Sequence, residues 1–272
     1  MKLSFSKMTG AGNDFVLVDN RALSLVLSRQ RIAELCDRHF GVGADGLLAV
    51  EPGTAGADFR MRYYNSDGGE AEMCGNGARC FAQYLRHLGA VQGSRATFDT
   101  PAGRITALYD GGGSEVAVNL TAPRDLRLRE AVPTSQGTLE ISSVNTGVPH
   151  AVVFVPDVEK IDLPKLGSEL RYHVAFAPKG TNVNFVQVTG PDSIRVRTYE
   201  RGVEGETLAC GTGVAASAIL SHLVQGVTRP LKVKVEGRAV LTVSFDGSAE
   251  APSNVILKGP ATLVFNGEIE WN

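Results

Sequence analysis

No stretch of this 272-residue chain is apolar over a membrane-spanning length, and Met1-Lys2 leads into Ser4-Phe5-Ser6-Lys7 rather than into the apolar centre of a secretion signal. Neither a transmembrane helix nor a signal peptide is expected, and the default residence is the cytoplasm. Charge of one sign is also missing. Lys and Arg number 27 against 29 Asp and Glu, a net charge of −2, so neither nucleic acid nor a membrane surface is an expected partner. Four cysteines, at 36, 74, 80 and 210, are too few for a disulfide framework and read as reduced thiols with individual fates. No Cys or His cluster has metal-ligand spacing. Cys74 and Cys80, six apart, would sit on different faces of a helix, so no metal site is expected.

Glycine is plentiful instead, with 31 residues beside 43% hydrophobic and 21% charged content, the composition of a globular chain rich in short strands and tight turns. The length admits one large domain or two ordinary ones, and a duplication favours two. Gly69-Glu70-Ala71-Glu72-Met73-Cys74-Gly75-Asn76-Gly77 returns as Gly205-Glu206-Thr207-Leu208-Ala209-Cys210-Gly211-Thr212-Gly213, both G-E-x-x-x-C-G-x-G, with the cysteines 136 residues apart (210 minus 74). Arg60-Met61-Arg62 returns as Arg195-Val196-Arg197 (offset 135) and Gly103-Arg104 as Gly237-Arg238 (offset 134). Thr9-Gly10 returns as Thr146-Gly147 (offset 137), which sets His150 opposite Asn13. Landmarks in one order at nearly constant offset mark an internal repeat.

Ser4–Met8 and Phe15–Val18 read as strands joined by a loop that ends at Asn13, a candidate ligand contact. Ile32, Leu35, Cys36, His39 and Phe40 share a helical face stopped by Gly41, which makes Cys36 a core filler. Gly41-Val42-Gly43-Ala44-Asp45-Gly46 matches the literal dinucleotide fingerprint G-x-G-x-x-G. A helix precedes it and the strand-like Leu47–Val50 follows, the reverse of the required strand-to-helix turn, so no dinucleotide cofactor is expected. A strand over 60–64 leads to the first cysteine, and a helix from about Gly77 to Leu88, ended by Gly89, follows it. Further strands are expected near 104–109, 115–120, 138–144, 151–155, 183–188, 231–235, 240–245 and 255–258. The expected fold class is α+β: two pseudo-symmetric domains, each a curled, mostly antiparallel sheet wrapped around a central helix. The boundaries are expected at 1–121 plus 262–272 for the domain with Cys74 and 122–261 for the domain with Cys210. The last segment matches the start of the second half and so crosses back to the first.

Each cysteine stands where a strand and loop become a helix. Unpaired amides and the positive dipole end favour a carboxylate there, and the same position lowers a cysteine pKa towards neutrality. Two such ends could hold one carboxylate while a thiolate and a thiol flank its α-carbon, the constellation for racemisation without a cofactor. A single buried cysteine beside glycines is ordinarily a small core residue; the duplication argues against that here. Other readings of the same residues are a redox-sensing pair, a structural His150, and Glu70 and Glu206 as turn caps.

At these residues the chain resembles diaminopimelate epimerase. The segments TGAGNDFVLVDN, GVGADGLL, YYNSDGGEAEMCGNGARC, TPAG, NTGVPHAV, GTNVNFV and TYERGVEGETLACGTGVAASA come in the family's order. The resemblance implies cofactor-independent interconversion of LL- and meso-diaminopimelate, for lysine and cell-wall precursor synthesis, by a homodimer whose site lies between two similar domains. It implies Cys74 and Cys210 as the proton-transfer pair, with Gly75, Asn76, Gly211 and Thr212 cradling the α-carboxylate. Asn13, Asn65, Asn182, Glu200 and Arg201 match substrate-holding positions, and His150 and Glu200 match groups that tune the thiols. Gly46 stands where many members have Gln, Val148 where many have Asn, and the loop with Glu204 is one residue longer than expected. The competing readings are a related racemase of proline, hydroxyproline or a basic amino acid, and a non-catalytic, redox-gated binder. Asn65, Asn182 and Arg201 speak against an apolar substrate side chain, and intact pairs in both halves speak against mere binding.

Overall fold

The computed structural model describes residues 2–71, 73–109, 113–237, 239–248 and 251–271. Met1, Glu72, Arg238 and Asn272, which enter the expectations above, lie outside the described residues. The chain divides into two compact units, one of residues up to Asn119 together with those from Gly259 onward, the other of Leu120–Lys258.

The first unit contains β1 (Lys2–Gly10), β2 (Asn13–Asp19), α1 (Arg29–Cys36), β3 (Gly46–Pro52), β4 (Phe59–Asn65), β5 (Glu70–Ala71), α2 (Gly75–His87), β6 (Arg95–Thr100), β7 (Gly103–Tyr109) and β8 (Glu115–Asn119). The second contains β9 (Arg124–Thr134), β10 (Gly137–Asn145), β11 (Pro149–Phe154), α3 (Leu163–Arg171), β12 (Asn182–Gly190), β13 (Ser193–Glu200), β14 (Gly205–Thr207), α4 (Gly211–Gln225), β15 (Leu231–Lys234), β16 (Val240–Gly247) and β17 (Pro252–Pro260). The chain ends on β18 (Thr262–Glu270), which returns to pair antiparallel with β1.

The strand pairings repeat as faithfully as the motif. β18, β1 and β2 run antiparallel in sequence, β2 pairs parallel with β3, β3 antiparallel with β4, and β4 is flanked by β5 and by parallel β6, which continues into β7 and β8. In the second unit β9, β10, β11, β12, β13, β14, β15 and β16 take the same places, with the same parallel steps at β11–β12 and β13–β15, and β17 follows β16. The architecture is α+β, mostly antiparallel, with one outer and one central α-helix per unit among the described residues.

The outer helices cover one sheet face. Ile32, Leu35 and Cys36 of α1 join Leu3, Phe5, Val16, Val18 and Leu47, while Leu163, Leu166 and Leu170 of α3 join Ile141, Val153 and Phe185. The central helices are buried almost all round, which α4 achieves with the small and apolar run Gly213–Leu220, as a helix without a polar face must. Fully burying one Leu or Phe stabilises by roughly 1.5–3 kcal/mol.

Several expectations need correction. α1 stops at Cys36, and His39 and Phe40, expected on its apolar face, are exposed, Phe40 at 93%. The Asp37 carboxylate accepts the amides of both residues and ends the helix before Gly41 is reached. α2 begins at Gly75 rather than Gly77, with Cys74 as its N-cap. The outer helix α3 carries Pro164 and Gly167 and was not expected from its pattern, although Asp162 caps it and Pro164 sits in its first turn. β9 was not among the expected strands: five of its eleven residues are charged, most are exposed, and its ladder with β10 has two register breaks. β6 was also missed.

Candidate active site

Each cysteine is delivered by a short strand clamped to the one before it. Glu70 of β5 takes the Arg62 guanidinium of β4 through two bonds of 2.9 and 2.7 Å. Glu206 of β14 takes Arg197 of β13 through bonds of 2.7 and 2.8 Å. The two glutamates of the repeated motif are thus cross-strand clamps rather than turn caps. Partly exposed pairs of this kind contribute about 1 kcal/mol or less, so their value lies in fixing the register of the loop that follows.

In the first unit Cys74 has extended backbone and caps α2, its Sγ accepting the Gly77 amide at 3.4 Å. The thiol is half-buried. Behind it runs a chain of side chains. Arg79 Nη2 donates to Asn76 Oδ1 at 2.8 Å, Asn76 Nδ2 to Asn13 Oδ1 at 2.6 Å, and Asn13 Nδ2 to Asp45 Oδ2 at 2.9 Å. Asp45 and Asp14 share Arg38, and Lys7 beside Asp14, together with Arg38, holds its carboxyl down at about 2 against the opposing effect of burial. Cys36 and Cys80 are buried, and burial pushes both thiols up to about 12, so neither is a base at neutral pH.

In the second unit Cys210 caps α4, and its Sγ lies 3.4 Å from Thr212 Oγ1. Thr212 Oγ1 is 2.9 Å from His150 Nε2, and His150 Nδ1 is 3.2 Å from Asn184 Nδ2. The direction of this chain follows from its far end. Thr198 donates its hydroxyl proton to Asn184 Oδ1, and Asn184 Nδ2 also donates to Ala151 O. Asn184 therefore presents N–H to His150, so Nδ1 accepts, Nε2 carries the proton and donates to Thr212, and the Thr212 hydroxyl is left to donate to Cys210.

The neutral imidazole needed for this relay is assured by burial, which with the field of Arg201 pulls the His150 pKa from 6.5 down to about 3. An unfolded chain takes up that proton near 6.5 and so binds more protons than the folded one between the two values. The stability owed to this group is complete above about pH 6.5 and is lost as pH falls towards 3. His150→Gln, which has no proton to take up, is expected to lose less stability between about pH 7 and pH 4 than the parent. Urea midpoints at the two pH values measure it, and equal losses would contradict the assignment.

The parallel register also corrects the repeat. His150 lies opposite Asn182 in β11–β12 as Phe15 lies opposite Gly46 in β2–β3, so His150 stands level with Phe15 and not with Asn13. The β10–β11 turn is one residue shorter than the β1–β2 turn, counted from the pairs Asn145–Pro149 and Thr9–Asp14. At Gly46 a Cβ would come within 2.3 Å of Tyr64 O and 2.9 Å of the Tyr63 ring; the ring fills the space a longer side chain would need.

Asn182 is buried, its amide tied to Pro149 O and to the Arg201 amide, both at 2.9 Å. Glu200 ends β13, half-buried, and Arg201 follows with a half-buried side chain that makes no ion pair among the described residues. Asn65 is exposed at the end of β4. Val148 is half-buried in the β10–β11 turn. Glu204 turns to the end of α3, 3.1 Å from Arg171. Sequence reasoning missed Arg79 and Asn184; the signals were an arginine between the small and apolar pairs Gly77-Ala78 and Cys80-Phe81 of α2, and a polar residue between Val183 and Phe185.

The sequence model of the family described as diaminopimelate epimerase matches residues 5–125 and 142–264. Curated relatives carrying that name include one from Aquifex aeolicus, 44% identical over 98% of this chain and 98% of its own, and one from Chromobacterium violaceum, 42% identical over 99% and 100%. Among solved structures, a phenazine biosynthesis protein of the PhzF family from Bacillus anthracis superposes with TM-score 0.76 at 17% identity, covering all of both chains. A hydroxyproline epimerase from Agrobacterium vitis does so with TM-score 0.75 at 13% identity, covering 98% of this chain and 92% of its own. At those identities the likeness is one of fold.

Proposed function

This chain belongs to the diaminopimelate epimerase family, and from that premise we propose that it interconverts LL- and meso-2,6-diaminopimelate without a cofactor, each unit supplying one thiol, Cys74 or Cys210. The observation that carries the reading is the repeated placing of a cysteine as the N-cap of a buried helix opening on Gly-x-Gly.

In one direction the Cys210 thiolate takes the α-proton and the Cys74 thiol gives its proton to the opposite face, so that the pair ends with its proton on the other sulfur, the form that serves the reverse reaction, and exchange of protons with solvent resets it for another turnover in the same direction. Only the singly protonated pair is productive. The carbanion formed between the two transfers carries its charge largely on the α-carboxylate. First-turn amides at Gly75 and Asn76, and at Gly211 and Thr212, bind that charge more strongly in the transition state than in the ground state. The Thr212–His150–Asn184 chain supports the negative form of Cys210 by a hydrogen bond, without adding a charge.

The distal amino-acid end of the substrate gives Asn13, Asn65, Asn182, Glu200 and Arg201 a partner, with Arg201 on the distal carboxylate. Arg201→Met is expected to raise KM by roughly 10- to 100-fold, the worth of a charge-assisted hydrogen bond, and to affect kcat less. An unchanged KM would remove Arg201 from the site. The meso isomer would serve lysine and cell-wall precursor synthesis in the cytoplasm. A homodimer follows from the family resemblance, and sedimentation that finds only monomer would reject it.

Offering the protein LL- and meso-diaminopimelate, proline, hydroxyproline and basic amino acids in deuterated water tests the substrate. Label is expected to enter diaminopimelate; label entering only another amino acid would replace this reading with that of a related racemase.

A further inference from the structure

Arg79 is the largest fully buried side chain among the described residues. Its Nη1 donates to Gly75 O at 3.3 Å and its Nη2 to Asn76 Oδ1 at 2.8 Å, while Nε has no partner among the described residues. Among the described residues it makes no ion pair, whereas Lys7 and Arg62 on the adjoining strands are paired with Asp14 and Glu51, and Arg21, just beyond β2, with Asp19. A guanidinium remains protonated even when burial disfavours its charge, and an uncompensated buried charge is costly. Among the described residues the groups whose negative charge would relieve it are the sulfurs of Cys74 and Cys80, and Cys80 is held neutral by its own burial.

Arg79 also sets the sense of the chain in front of it. A guanidinium only donates, so Asn76 must turn its carbonyl oxygen to Arg79 and its NH2 to Asn13, which in turn directs its NH2 to Asp45. Neither amide is free to flip. The second unit has no counterpart. At the 136-residue offset Arg79 becomes Ala215 within the run Val214-Ala215-Ala216, and the chain that polarises that half-site is the uncharged one through His150.

We propose that Arg79 is a positioning residue of this enzyme, fixing the donor sense of the Asn76–Asn13 pair and holding a buried positive charge behind Cys74, so that Cys74 rather than Cys210 is the thiolate that awaits substrate. The assignment rests on reading Cys74 and Cys210 as the proton-transfer pair. The duplicated fold is then electrostatically unequal: a fully buried guanidinium stands behind the first cysteine, whereas the cation whose field reaches the second chain is the half-buried Arg201, assigned above to the distal carboxylate of the substrate, and the proton of the resting pair resides on Cys210.

Alkylation of the reduced protein with iodoacetamide at fixed pH, followed by mass spectrometry of the Cys74 and Cys210 peptides, reads the two thiolate populations without substrate. In Arg79→Met the Cys74 rate is expected to fall about tenfold or more relative to Cys210, equivalent to one pKa unit. In Arg79→Lys, which keeps the charge and loses the fork, the ratio is expected to hold while KM for diaminopimelate rises because Asn76 and Asn13 are released. A folded Arg79→Met protein with an unchanged ratio overturns the proposal. If that variant does not fold, a folded Arg79→Lys protein with both an unchanged KM and a collapsed Cys74 rate overturns it instead. A tenfold fall in a protein inactive on diaminopimelate would reject the substrate and leave the charge assignment standing.

Discussion

Alanine at either Cys74 or Cys210 is expected to lower kcat for the diaminopimelate isomers by about 10²- to 10⁴-fold, the usual share of a positioned acid or base, and in both directions, since every conversion needs one proton removed and one returned. The double variant should be scarcely worse than either single one, because two groups acting in one step do not contribute additively. Substrate affinity should change far less, as the proposed cradle is made of backbone amides that alanine leaves in place. Stability should change little at Cys210 and by about 1 kcal/mol at Cys74, whose Sγ accepts the Gly77 amide at the start of α2. Steady-state rates with each isomer, beside thermal denaturation of the same samples, check this. A folded Cys74→Ala protein with full epimerisation would reduce the duplicated motif to a binding device.

Gly213→Ala is expected to be nearly as damaging by a different route. A Cβ at this position would lie 2.5 Å from Asn184 Oδ1 and 3.2 Å from His150 Cε1. Neither neighbour can yield cheaply. Asn184 is held by Thr198 and Ala151, and His150 is fully buried. Overpacking of this kind costs about 1–3 kcal/mol, and the shift that relieves it moves the chain from Asn184 through His150 and Thr212 to Cys210. Misplacement of about 1 Å near reacting groups costs on the order of 10²-fold in rate, so both Tm and kcat should fall. At Gly205, in the same motif, an added Cβ would meet open space, and Gly205→Ala should cost little. Equal effects at the two glycines would show that the close approach at Gly213 is not what matters.

The parts of this molecule that were legible in the sequence are those written in local pattern. The repeated G-E-x-x-x-C-G-x-G located both central helices because a cysteine followed by small residues at helical spacing is a local signal, and the strands with clean alternation were found within a few residues. The core role of Cys36 followed from periodicity alone. What escaped was decided by competition or by distance. The Asp37 carboxylate overrode helix propensity and put Phe40 into solvent, Pro164 and Gly167 disguised α3, and the largely exposed β9 shows no clean alternation. The level of His150 depended on a turn one residue shorter than its counterpart, which a dipeptide match does not register. Arg79, Asn76 and Asn13 meet only once β1, β2 and α2 are assembled, and Asn184 acquires meaning only beside His150. The clamps at Arg62–Glu70 and Arg197–Glu206 had both halves visible in the repeat, yet their pairing across strands had to be seen in the fold.

The most direct test of the two-thiol account is the isotope pattern of the first few per cent of conversion in deuterated water, starting from pure LL-diaminopimelate with protium at both α-carbons. The account predicts that the meso product carries one deuterium at the inverted carbon while the unconverted LL isomer stays unlabelled, because the sulfur that removes the proton is not the one that delivers its replacement. Deuterium accumulating in the LL isomer as fast as in the product would mean that a single group serves both faces, and would contradict it.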